Sequence, residues 1–98
     1  MSESQVYLVT GASRGLGRSI CHILASNGFT VIGLARESTE LLSLEAALKV
    51  KNSESMICPC DLSSEAHIRS TAGKISEKFT AINGIIHNAG IIGPVGSM

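Results

Sequence analysis

The chain has 98 residues, with eight Lys or Arg against eight Asp or Glu and a formal net charge of zero. That balance, with its basic residues scattered, leaves no footprint for nucleic acid or an anionic membrane surface. A chain of this length makes one small domain that buries roughly 60–70% of the surface its unfolded form exposes, with little room for a second unit carrying separate chemistry.

Hydrophobic residues make up 44% of the chain, yet the aromatics are two Phe and one Tyr. The apolar mass is therefore Ile, Leu, Val and Ala, the composition of buried parallel strands covered by helices. No apolar run nears the roughly 18 residues that span a bilayer. The opening stretch MSESQVYLVTG lacks the basic segment and long apolar run of a secretory signal. Cys21, Cys58 and Cys60 lack zinc-site spacing. They read as reduced, packed thiols, and so as a cytoplasmic protein.

In chain order, the apolar run Val6–Thr10 predicts a strand. A helix over Gly15–Asn27 follows, with Leu16, Ile20, Ile23 and Leu24 as its apolar positions and Gly28 where a C-terminal cap belongs. Thr30–Ala35 is the second strand. The second helix, Thr39–Lys51, is capped by Ser38, gathers Leu41, Leu44 and Leu48 on one face, and carries Lys49 and Lys51 at the end that favours cations. Ser55–Cys60 is the third strand. The third helix, Ser64–Phe79, takes Ser63 as its cap, Glu65 in its first turn, and Ile68, Ala72, Ile75 and Phe79 as its apolar positions. Asn83–His87 is the fourth strand. Strands separated by helices are parallel with right-handed crossovers, so the fold class is α/β, an incomplete Rossmann-type three-layer parallel sheet ordered β-α-β-α-β-α-β.

The strongest local signal is VTGASRGLGRSI, where Gly11, Gly15 and Gly17 fall between the first strand and the first helix. A chain passing from strand to helix in so few residues needs a glycine where other residues would strain, the role of Gly11. A second glycine lets backbone approach a pyrophosphate, and a third lets the helix pack close on the strand, the roles of Gly15 and Gly17. The helix N-terminus then offers N–H groups and a positive dipole end to a phosphate. No Gly-Lys-Ser/Thr follows, so this is not a kinase-type P-loop.

Thr10-Gly11-Ala12-Ser13-Arg14-Gly15-Leu16-Gly17 resembles the T-G-x-x-x-G-x-G signature of the classical short-chain dehydrogenases/reductases. Asp61-Leu62 after the third strand and Asn88-Ala89-Gly90 after the fourth resemble that family's Asp-apolar pair and N-A-G turn. His87 stands where many members have a second Asn. The resemblance covers essentially the whole chain. It implies that Gly11, Ser13, Arg14, Gly15, Leu16 and Gly17 contact a nicotinamide dinucleotide, that Asp61 and Leu62 meet its adenine, and that Asn88, Ala89 and Gly90 pass beside it. Asp61 also fits a turn or cap ahead of the third helix.

NAD-binding members of dinucleotide folds place an acid at the end of the second strand, on the ribose 2′-hydroxyl. Here that place falls on Ala35, followed by Arg36, in VIGLARES. A guanidinium binds a 2′-phosphate where a carboxylate would repel it, and Arg14 can approach from the glycine turn. The expectation is NADP over NAD. Glu37, one residue on, would be the ribose acid if the register shifted by one.

Hydride transfer to a carbonyl also needs an acid near the developing alkoxide. The resemblance implies a Ser and a Tyr-x-x-x-Lys beyond the N-A-G turn. The chain contains no Tyr-x-x-x-Lys, and its one tyrosine, Tyr7, is four residues before Gly11. No catalytic residue and no metal ligand is therefore assigned. Residues 1–98 are expected to be the NAD(P)-binding half of an oxidoreductase whose catalytic half is absent, with a small carbonyl or alcohol substrate only in a full-length form. A non-catalytic dinucleotide-binding protein is the alternative, its exposed sheet edge pairing with a full-length relative; a homo-oligomer is also open to it. A methyltransferase of Rossmann type is a third reading, against which the glycine spacing and N-A-G argue.

Overall fold

The computed structural model describes residues 5–87. Its elements are β1 (Val6–Thr10), α1 (Gly15–Ser26), β2 (Thr30–Ala35), α2 (Thr39–Lys51), β3 (Met56–Pro59), α3 (Glu65–Lys78) and β4 (Gly84–Ile86). The four strands form one sheet in the order β3-β2-β1-β4, and every pairing is parallel. The expected α/β architecture is therefore present, with β1 between β2 and β4.

Two helical crossovers step outward from β1 to β3, and the third returns past β1. Right-handed crossovers then require α1 and α2 on one face and α3 on the other. The core divides accordingly. Val9, Val31 and Ile57 pack with Cys21 and Ala25 of α1 and with Leu41, Leu44 and Leu48 of α2. Val6, Ile32, Leu34, Cys58 and Cys60 pack with Ile75 of α3. All three cysteines are buried and free, as packed thiols should be.

The first helix corrects its expected face. Gly17, Cys21 and Ala25 are its buried residues, while Leu16 is 67% and Ile23 61% exposed. Ile20 and Leu24 pack at the margin of the core. A helix leaving a tight glycine turn lies close to the sheet, and small side chains four apart are what fit between them. Its end is one residue earlier than expected. Asn27 is the cap, Gly28 follows at φ 87°, and the N–H groups of Gly28 and Phe29 donate to the carbonyls of Ala25 and Leu24. That is a Schellman closure, with glycine in the left-handed position.

Helix α2 matches expectation. Ser38 Oγ accepts from Leu41 N at 3.1 Å, and Leu41, Leu44 and Leu48 are fully buried. Helix α3 differs at both ends and in its cap. Ser64, not Ser63, caps it by accepting from His67 N. Ser63 instead donates its hydroxyl to Asp61 Oδ1 at 2.6 Å. Thr71 and Ile75 are buried, whereas Ile68 is exposed and lines, with Leu8, Leu62, Phe79 and Ile85, an apolar cavity of about 440 Å³ between α3 and the sheet.

Strands β3 and β4 are shorter than expected at both ends; at the leading end of each a side chain takes part in the pairing, while past β3 the Cys60 N–H still donates to the Ala35 carbonyl at 2.8 Å. Val31 N donates to Ser55 Oγ at 2.9 Å, so the residue before β3 joins through its hydroxyl. Val6 N donates to Asn83 Oδ1 at 2.7 Å, and Asn83 N donates to the Val6 carbonyl at 2.8 Å, so Asn83 meets β1 partly through its amide. Within β4, Gly84 lies opposite Tyr7. A Cβ on Gly84 would fall 2.8 Å from the Tyr7 ring, a distance only a glycine avoids.

Candidate functional site

Every expected site residue that the structure describes lies at the carboxyl ends of the parallel strands. β1 runs into the glycine turn, β2 into Arg36 and β3 toward Asp61. The crossover reverses between β1 and β4, the switch point where open α/β sheets take their ligands. Asn88, Ala89 and Gly90 lie outside the described residues.

The turn has the backbone its sequence requires. Gly11 has φ 62° and Gly15 φ 64°, and among the described residues no non-glycine has positive φ. At Gly15 a Cβ would meet nothing within 4 Å. The glycine is needed there for its left-handed conformation, and the turn faces open space where a ligand fits. Gly17 is buried in α1 against the core, as close helix–sheet packing requires. Ala12 N donates to the Leu34 carbonyl at 3.1 Å, and a Cβ on Gly33 would press on Ala12 Cβ at 3.2 Å. The turn is thus laid directly on the end of β2.

The N-terminus of α1 differs from the other two. Its cap residue, Arg14, is extended, gives no side-chain cap, and no acid follows in the first turn. Ser38 and Glu40 serve that end of α2, and Ser64 and Glu65 that of α3. Among the described residues, no side-chain cap and no first-turn acid meets the leading N–H groups of α1 or its positive dipole end, the kind of end that takes an anion. With the open space at Gly15, these residues fit a dinucleotide's phosphates.

Around the turn the side chains are placed as follows. Arg14 is exposed, as are Arg36 and Glu37 beyond the last residue of β2, Ala35. Ser13 is half-buried, and its carbonyl accepts from Arg18 Nη1 at 3.2 Å. Asp61 Oδ1 accepts from the hydroxyl and the N–H of Ser63. Those two bonds hold its carboxyl below the usual carboxylate range, with a smaller contribution from the Arg36 charge. Asp61 thus forms the turn ahead of α3, and its neighbour Leu62 lines the apolar cavity where that cavity reaches Thr10, Leu34 and Cys60. Asp61 N donates to His67 Nδ1 at 3.0 Å, which makes that ring nitrogen the acceptor.

Two participants were not visible as such in the sequence. His87 Nδ1 is 3.1 Å from Thr10 Oγ1, joining the ends of β4 and β1 across the switch point. Arg18 donates to the carbonyls of Ser13 and Glu40 and to Ser43 Oγ. The only sequence sign of Arg18 is its place four residues after Arg14, one helical turn from the loop. No group of three His, Cys, Asp or Glu able to hold a metal occurs among the described residues, and no helix there is long and apolar enough to cross a membrane.

A parallel sheet with a glycine turn and an open helix N-terminus at its switch point defines a dinucleotide-binding α/β protein. The family model described as short chain dehydrogenase matches residues 5–98, and the chain belongs to that family of nicotinamide-dependent oxidoreductases. It is 29% identical over 91 residues to a 3beta-hydroxysteroid dehydrogenase of Mediterraneibacter gnavus, covering 93% of this chain and 33% of that protein. It is 35% identical over 89 residues to an NADPH-dependent pterin aldehyde reductase of Arabidopsis thaliana, covering 91% and 36%. The crystal structure of a metagenomic short-chain oxidoreductase in complex with NADP superposes with a TM-score of 0.80 at 33% identity, over 96% of this chain and 44% of that one. The chain thus spans about a third of the length of these curated relatives.

Proposed function

We propose that this chain is the NADP(H)-binding portion of a short-chain oxidoreductase that moves hydride between the nicotinamide and a small carbonyl or alcohol substrate. The observation that carries this reading is the glycine turn, with Gly11 and Gly15 at positive φ in front of the uncapped α1 N-terminus. Gly11, Ser13, Gly15, Leu16 and Gly17 shape the cradle for the phosphates, and Asp61 and Leu62 border the adenosine side. The family resemblance adds Asn88, Ala89 and Gly90, which follow β4 in sequence, to the residues that would meet the cofactor. When bound, the nicotinamide supplies or accepts the hydride; the chain's own residues bind and orient it.

Preference for NADP over NAD rests on charge. β2 ends at Ala35, so the strand-end position holds no acid, and Arg36 follows it. With Arg14 on the glycine turn, two guanidiniums flank the place where a 2′-phosphate would sit. Fluorescence titration of NADPH and NADH into the wild-type chain and into the Arg14→Ala/Arg36→Asp double variant tests this. The expected result is weaker NADPH binding with NADH spared or improved; an unchanged preference removes both arginines from the reading.

The single tyrosine, Tyr7, lies in β1 and donates to Gln5 Oε1, so these residues hold no Tyr-x-x-x-Lys proton donor. Binding without turnover is therefore expected of the 98-residue chain alone. NADPH-dependent reduction of aldehydes or ketones by the purified chain would overturn that expectation. Three buried free cysteines suit a reducing compartment, and we place the protein in the cytoplasm.

A further inference from the structure

Arg18 joins the glycine turn to the first turns of α2. Its Nη1 donates to the Ser13 carbonyl at 3.2 Å and to the Glu40 carbonyl at 2.8 Å, and its Nη2 donates to Ser43 Oγ at 3.2 Å. The first acceptor is in the glycine turn, one residue before Arg14. The other two are in the first turns of α2, just past the loop that holds Arg36. The three acceptors stand 5, 22 and 25 residues from Arg18 in sequence, so its planar fork bridges segments the chain brings together only by folding.

We infer that Arg18 is a positioning residue for cofactor selectivity, fixing the distance between the Arg14 and Arg36 loops so that both guanidiniums can act on one 2′-phosphate. The inference rests on the NADP reading above. Two like charges directed at one ligand repel each other, and both residues are exposed, so neither is held by burial. The loops that carry them must be fastened from behind. On the turn side the Ala12 N–H to Leu34 carbonyl bond ties the turn to β2, and Ser38 caps α2. Ala12 of the turn shares a buried cluster with Leu41 and Leu44 of α2, and Arg18 adds directional bonds from the turn to the first turns of α2. The Ser43 hydroxyl is itself set by donating to the Glu40 carbonyl at 3.0 Å, so the α2 anchor is a formed acceptor pair.

Geometry separates Arg18 from a general stabilising residue. Loosening the gap between the two loops affects only a ligand that bridges them. NADPH carries the 2′-phosphate that does so; NADH does not. The α1 N-terminus, which meets the phosphates common to both cofactors, keeps its glycine backbone in either case.

The test measures dissociation constants of NADPH and NADH by cofactor fluorescence for the wild-type chain, Arg18→Met, Arg18→Lys and Ser43→Ala, with Arg14→Ala/Arg36→Ala as reference. Arg18→Met should weaken NADPH roughly tenfold, as expected for losing charge-assisted bonds that hold a binding group, and leave NADH within about twofold. Lysine, one point donor in place of the fork, should restore part of the NADPH affinity. Ser43→Ala should reproduce a smaller loss in the same direction. Equal weakening of both cofactors, or no loss of NADPH while the reference variant loses it, overturns the inference. If the reference variant keeps its NADPH preference, the NADP reading itself fails, whatever Arg18→Met does. Should Arg18→Met not fold, Arg18→Lys and Ser43→Ala decide by the same ratio.

Discussion

Thr10 Oγ1 and His87 Nδ1 lie 3.1 Å apart, so the last residue of β1 is bonded to the residue that follows β4. The two strands flank the switch point, and β4 is only three residues long. A side-chain bond at its carboxyl end therefore supplements a short ladder. Thr10→Val keeps the shape and removes the hydroxyl. It is expected to lower stability by about 1 kcal/mol in urea unfolding, the ordinary net worth of one such bond. An unchanged midpoint would show that the pair contributes nothing to holding β4.

Gly84 and Tyr7 are register partners, and the Tyr7 ring stands edge-on to Phe29 with centroids 5.2 Å apart. A methyl on residue 84 must displace a ring that is already engaged. Gly84→Ala is expected to destabilise by roughly 1–3 kcal/mol, as overpacking does. The same change in a Tyr7→Leu background should cost clearly less. Additive effects in the double variant, measured by denaturant unfolding, would rule out the clash as the cause.

Gly15 poses the opposite case, with φ 64° and empty space where a Cβ would lie. Gly15→Ala meets no clash, but its left-handed backbone should cost roughly 1–2 kcal/mol. Its methyl also projects into the cradle proposed for the phosphates. NADPH and NADH binding should both weaken, and by similar factors, because the phosphates at this turn are common to both. Retained affinity for both cofactors would move the phosphates away from this turn.

Cys21 is fully buried, and burial pushes its thiol pKa from 9.0 up to about 11, against a small lowering by the Arg18 charge. The folded chain holds this proton more tightly than the unfolded chain. The sign follows: the stabilisation is complete below the unfolded value and is lost as pH rises from about 9 toward 11. Cys58, also raised by burial, adds to the same alkaline loss. Cys21→Ala should make the fall in unfolding free energy between those pH values shallower, whatever its effect on total stability. An unchanged slope would show that the thiol does not titrate there.

Much of the fold was legible in the sequence because its strongest patterns are local. Thr30–Ala35 and Thr39–Lys51 were readable to the residue, the first as an apolar run between turn signals and the second from Ser38 and three leucines. The glycine turn was legible because its conformation admits few other residues. What escaped depends on contacts between distant segments. At the leading ends of β3 and β4, Ser55 and Asn83 bond β2 and β1 through side chains. Ser63 and Ser64 are equivalent caps by sequence, and only the bond from Ser63 to Asp61 leaves Ser64 to cap α3. Helix α1 hides its small residues, since the nearness of the sheet outweighs the size of Leu16 and Ile23. At the site, Arg18 resembles any solvated charge until Glu40 and Ser43 are brought beside it.

The glycine turn is tied to the sheet by the Ala12 N–H on the Leu34 carbonyl, with left-handed glycines at both corners. Its ordering is thus a part of folding, completed along with the sheet. A phosphate arriving there would not have to organise the loop, and more of its interaction energy would be available for affinity. A cradle already shaped in this way discriminates by what stands around it.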